Sequence, residues 1–129
     1  MESLTIEFQP DKRLSKNGLR RAHWRETPPL VKQAREDAYI LGLIEAEDGW
    51  VTPDRCRVQV TQFWFGSGRY DWDGLATLCG PVIDGLVDAG AMPIEDDPSH
   101  ILEYTMTAER VKTRAESRVA VTVTPVVSE

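Results

Sequence analysis

The sequence predicts an α+β fold, a small mixed β-sheet of about four strands with two helices packed on one face. Its elements run strand, helix, strand, helix, strand, strand. Three observations predict this. Four segments alternate apolar and polar residues with the period of two that a half-buried strand needs. Two longer segments repeat apolar residues at helical spacing, and Gly, Pro and Asp-Gly punctuation separates them. With 129 residues, 41% of them apolar and 28% charged, the chain has the size of one domain with a real core. It is read here as a single domain over residues 1–129.

Taken in order, Leu4-Thr5-Ile6-Glu7-Phe8 alternates and is the first strand. A long polar stretch follows, PDKRLSKNGLRRAHWRETPP, with Pro, Gly and Asn and no clean period. A loop of that length in a compact domain is usually functional or disordered. Thr27-Pro28-Pro29 signals a helix start, with Thr27 as N-cap and proline tolerated in the first turn. Leu30, Val31, Ala34, Ala38, Leu41 and Ile44 then recur at helical spacing and predict a helix over 28–46, broken by Asp48-Gly49. Residues 55–65 alternate, are rich in β-branched and aromatic types, and predict a strand ended by Gly66-Ser67-Gly68.

A second helix is expected from about Trp72 to Val87, burying Leu75, Leu78, Cys79, Val82, Ile83 and Leu86. Pro81 lies inside it and predicts a kink, or two short helices. Ala89-Gly90 closes the helix and Pro93 to Pro98 forms an acidic turn. Strands are expected over 100–107 and 119–124, with Lys112 to Glu116 as a hairpin tip between them. Trp64 and Trp72 read as core residues, and Trp24 either packs on the sheet or stacks on a base.

Composition excludes several classes. No apolar run approaches the ~20 residues that span a bilayer. The N-terminal MESLTIEFQP has Glu2 where a signal peptide carries positive charge, so export is not expected. Cys56 and Cys79 share no metal-ligand spacing and are expected to be buried free thiols in a reducing compartment. Two histidines, His23 and His100, do not assemble a Ser-His-Asp or Cys-His set, and no Walker-type phosphate loop is present.

The net charge of −6 conceals a polarised chain. Residues 1–36 carry eight basic against five acidic side chains, residues 37–104 three against thirteen, and residues 105–129 four against three. Lys12, Arg13, Lys16, Arg20, Arg21 and Arg25 are offset within positions 10–25 by Asp11 alone. A basic arm beside an acidic centre is expected where one surface meets phosphates and carboxylates gather around a cation.

The candidate chemistry lies in Arg69-Tyr70-Asp71-Trp72-Asp73-Gly74, which follows a strand and opens a helix. Alternate side chains at a strand end project to one side, so Asp71 and Asp73 can converge. Two carboxylates that close repel each other, so a site that keeps both ionised normally contains a cation, and an oxygen-rich site with open positions suits magnesium or manganese. A second acidic group, Glu95-Asp96-Asp97, occupies the turn after the helix. Each motif in isolation is more often a cap or solvated charge; the combination with the basic arm favours a metal site.

The spaced set formed by Arg69 to Leu75, Ile83-Asp84-Gly85-Leu86-Val87-Asp88-Ala89-Gly90 and Asp96-Asp97-Pro98-Ser99-His100-Ile101 resembles the RusA-type Holliday junction resolvases. The likeness extends to the N-terminal strand, the basic loop and the chain length. It implies that Asp71, Asp73 and Asp97 are the catalytic, metal-binding aspartates, with Asp96 a neighbouring acid at the metal. It implies a homodimer that nicks opposing strands of a four-way DNA junction with Mg2+ (or Mn2+) in recombination and repair. Lys12, Arg13, Lys16, Arg20, Arg21, Arg25 and Arg69 would then contact DNA, in the cytoplasm of a cell or of a virus's host. The sequence departs from the family at Gly74, where Asn is usual, and at Thr77, where many members have Lys. These departures keep two other readings open. One is a catalytically degenerate protein that binds branched DNA, and the other an acidic protein-interaction domain.

Overall fold

The computed structural model describes residues 3–10, 27–47, 49–66, 72–93 and 97–127. Its elements are β1 (Leu4–Phe8), α1 (Thr27–Glu45), β2 (Cys56–Trp64), α2 (Trp72–Asp88), β3 (Ile101–Arg110) and β4 (Arg118–Pro125). They form the expected four-stranded mixed sheet with both helices on one face. The strand order is β1-β4-β2-β3, with β4 antiparallel to both neighbours and β2 parallel to β3. A parallel pair needs a crossover, and α2 is that crossover.

The core lies between the sheet and the helices. Leu4 and Ile6 of β1 stand opposite Val123 and Val121 of β4, which stand opposite Val58 and Val60 of β2. All six are at most 3% exposed. The helical side supplies Leu75, Leu78, Cys79, Val82, Ile83 and Leu86, the set that the spacing predicted. Each fully buried aliphatic side chain contributes about 1.5–3 kcal/mol.

That burial explains why Pro81 does not divide α2, which runs without interruption from Trp72 to Asp88. The missing N–H costs ~3 kcal/mol or more, and the buried residues on both sides of the proline outweigh it. On α1 the apolar stripe is narrower than its spacing suggested. Leu30 and Ala38 are buried and Ala34 and Leu41 partly so, but Val31 and Ile44 are exposed.

The helices cross at Gly85. A Cβ there would lie 2.3 Å from the Arg35 carbonyl oxygen and 2.7 Å from the Ala38 Cβ. The crossing is tied at the surface by Arg35, whose Nε and Nη2 donate to the two Asp88 carboxylate oxygens at 2.6 and 2.9 Å. Asp88 is thereby held below the usual carboxylate range.

The connection from β3 to β4 is not the expected hairpin. β2 lies between the two strands, so residues 111–117 pass around its end through a 3-10 turn at Arg114–Glu116. The Val111 N–H donates to the Trp64 carbonyl at 2.8 Å and fastens this passage. The sheet face away from the helices is polar, with hydroxyl contacts between Thr5 and Thr122 (2.9 Å), Ser3 and Thr124 (3.0 Å), and Thr61 and Thr107 (3.0 Å). Cys56 and Cys79 are buried free thiols as expected. Among the described residues no helix is long and apolar enough to cross a membrane.

Candidate metal and nucleic-acid site

Asp73 sits in the first turn of α2 and is exposed. A carboxylate there complements the unpaired amides of a helix start. Gly74 beside it is buried, and the Thr77 hydroxyl donates back to the Asp73 carbonyl at 2.9 Å. Thr77 therefore braces the turn that carries Asp73. Asp71, Asp96, Arg69 and the arm residues Lys12, Arg13, Lys16, Arg20, Arg21 and Arg25 lie outside the described residues.

Asp97 stands at the entry to β3. Its Oδ1 accepts the Ser99 N–H at 2.9 Å, the His100 N–H at 3.2 Å and a contact from His100 Nδ1 at 2.7 Å. Its main-chain carbonyl accepts the His100 and Ile101 amides. The His100 ring, followed by the Ser99 and His100 amides, holds the Asp97 carboxyl below the usual range. Asp97 thus stays ionised while shaping the turn into β3. His100 touches that carboxylate and so has a partner in the fold.

The topology separates the two acids within one chain. Trp50 Nε1 donates to the Ala91 carbonyl and the Thr52 hydroxyl to that of Gly90, so the end of α2 lies beside the residues that enter β2. The His100 carbonyl accepts the Cys56 N–H, which places Asp97 at that same end. Asp73 lies at the other end of a 17-residue helix, on the order of 20 Å away at the α-helical rise. Ligands of one ion need to approach within about 4 Å of each other. Asp97 and Asp73 therefore do not meet around one ion within a single chain, and Asp71 lies outside the described residues. No group of three or more His, Cys, Asp or Glu side chains fit to hold a metal occurs among the described residues, which do not include Asp71 or Asp96. The cause is plain in the fold. A crossover helix starts at the far end of one parallel strand and delivers the chain to the near end of the next.

The Asp73 end of the sheet holds a different cluster. Phe63 and Trp64 close β2 and Phe65 follows them, and each of the three lies against an arginine of the β3–β4 segment. Arg118 is 4.0 Å from the Phe63 ring centroid, Arg110 5.7 Å from Trp64 and Arg114 5.9 Å from Phe65. Trp64 is partly buried under this contact and is not a core residue. Trp72, expected in the core, is 55% exposed, and Phe65 is 41% exposed. The available signal for these residues was the aromatic triplet 63–65, which breaks the apolar–polar alternation of β2 at its end.

Comparison with known protein families and with characterised proteins gives no match.

Proposed function

We propose that the chain is a magnesium-dependent endodeoxyribonuclease of the RusA type that nicks branched DNA, such as a four-way junction, as a homodimer. The observation that carries this reading is Asp73, exposed in the first turn of α2, with Asp71 two residues before it in the sequence. Asp97, ionised and exposed, completes the donor set only if a second copy supplies it. All three are hard oxygen donors, the kind that magnesium prefers.

The sheet offers a way for the copies to meet. β3 is an edge strand of ten residues, and its sequence ILEYTMTAER has no proline to block pairing. Two such edges paired antiparallel about Thr105 would set Ile101 of one copy opposite Glu109 of the other. The Asp97 end of each chain would then lie at the Asp73 end of its partner. A two-fold pair also matches the symmetry of a four-way junction.

In this arrangement Asp71 and Asp73 of one copy and Asp97 of the other would hold the ion. A bound divalent ion supplies a polarised phosphate and a water of lowered pKa. The chain's own contributions are separate. The His100 ring and the Ser99 amide hold the Asp97 carboxylate charged and oriented, Thr77 braces the Asp73 turn, and the arm with Arg69 positions flanking phosphates.

Mixing inactive variants tests this. Asp73→Asn and Asp97→Asn should each abolish nicking of a synthetic four-way junction in magnesium. Mixed and allowed to exchange subunits, they should recover about a quarter of the wild-type sites, because half the dimers then hold one intact pair. No recovery on mixing removes the two-copy site, and an inactive wild type removes the nuclease. The separation of Asp73 from Asp97 also favours a second reading, a branched-DNA-binding protein that does not cut. A monomeric wild type that binds the junction without nicking it establishes that reading.

A further inference from the structure

We infer that the end of the sheet formed by Phe65, Trp72, Arg110, Lys112 and Arg114 is a second nucleic-acid contact surface, one that takes an unpaired stretch of DNA beside the branch. The inference rests on the DNA-binding part of the function proposed above but requires no hydrolysis. Three observations carry it.

First, three cations at this end have no carboxylate partner among the described residues. Arg118 is occupied by the Glu7 carboxylate and the Glu116 carbonyl, whereas Arg110, Lys112 and Arg114 form no ion pair among the described residues. Second, the two arginines are placed beside aromatic rings. Each lies over an aromatic ring, Arg110 over Trp64 and Arg114 over Phe65. A guanidinium attracted to a ring still has N–H donors to spare, and these fit phosphate oxygens two at a time. Third, Phe65 and Trp72 flank residues 67–71, the segment that carries Asp71, and leave large aromatic areas in solvent. Exposed rings among unpaired cations suit bases that are free to stack, as in single-stranded DNA. Duplex DNA offers the phosphates but no open base.

The test measures binding of a labelled oligodeoxythymidylate and of a duplex of equal length, in calcium, across a salt series. Replacing Arg110, Lys112 and Arg114 together by Gln should remove three phosphate contacts and flatten the single-strand salt slope by about two. Phe65→Ala and Trp72→Ala should each weaken single-strand binding about tenfold or more, with less effect on duplex. Wild-type affinity and slope in the triple variant overturn the inference, and so does unchanged single-strand binding in Trp72→Ala. Should the triple variant fail to fold, the Trp72 variant and an Arg110→Lys, Arg114→Lys pair decide instead. The pair keeps the charge but loses the stacked fork, so intermediate binding supports the surface and wild-type binding counts against it. A wild type that binds no DNA removes this surface and the proposed function together; one that binds DNA indifferently to these variants removes this surface alone.

Discussion

Gly85 shows how one absent side chain sets the distance between two helices. In an exposed helix, Gly→Ala gains about 1 kcal/mol from propensity. Here the added methyl would lie 2.3 Å from a main-chain carbonyl oxygen, and backbone cannot swing aside as a flexible side chain can. The steric term wins. Gly85→Ala should destabilise the protein by ~2 kcal/mol or more, measured as a drop in the urea midpoint with an unchanged m-value. A gain in stability would show that the helices are not this close. Cys79 makes a second case at this scale. Burial pushes its thiol up to about 11, against a smaller opposite effect of the hydrogen bond with Tyr104. Cys56 is also raised by burial. Neither thiol should react with a disulfide reagent at pH 8 in the native protein, and both should react once it is unfolded. Rapid native labelling would contradict the packing of β2 and α2.

Between elements, the exposed carboxylates carry the pH dependence. Asp88 between the helices and Asp97 at the start of β3 are both held below their ordinary pKa. A lowered folded-state pKa means stabilisation that is complete above the unfolded value and lost as the pH falls through the folded one. The loss therefore belongs below about pH 4. Asp88→Asn and Asp97→Asn should each flatten the fall of Tm on acidification in that range, and Asp88→Asn should leave the slope above pH 6 unchanged. An unaltered acid limb in both variants would show that the pairs contribute nothing measurable in solution.

The elements themselves were legible because their periods are local properties. α2 announced its buried face through residues three and four apart, and β4 through strict alternation. The order of the strands was not legible. Nothing in Lys112 to Glu116 distinguishes a hairpin tip from a passage around the end of β2, since either connection is short and charged. The candidate site was legible in the same uneven way. Asp73 was placed by a motif that spans one turn, whereas the position of Asp97 depends on which end of the sheet the return loop reaches. The exposure of Trp72 was hidden because a tryptophan's size argues for burial wherever the packing is unknown.

For the whole molecule, the separation of the acids makes assembly and metal binding one question. If two copies share each site, magnesium should raise Tm only for a dimer. The rise should grow with protein concentration, because the ion binds the assembled state alone. Light scattering alongside melts at several concentrations checks both parts. A magnesium shift that is independent of concentration in a monomeric protein would place the ion wholly within one chain. Leu102 and Tyr104, 40% and 44% exposed on the edge strand, provide the corresponding handle. Leu102→Glu should weaken a dimer paired through β3 and leave the monomer's secondary structure, read by circular dichroism, unchanged.

The place of β4 in the sheet has a further consequence, for biosynthesis. Among the described strands β1 pairs with β4 alone, although more than a hundred residues of chain separate them. A ribosome that has released β1, both helices, β2 and β3 has therefore released a strand with nothing to pair with and a parallel pair open along one side. The sheet can join into one cooperative unit only when residues 118–125 emerge. Nascent chains halted just before that point should remain protease-sensitive throughout, and those halted a tunnel's length beyond it should become resistant in a single step.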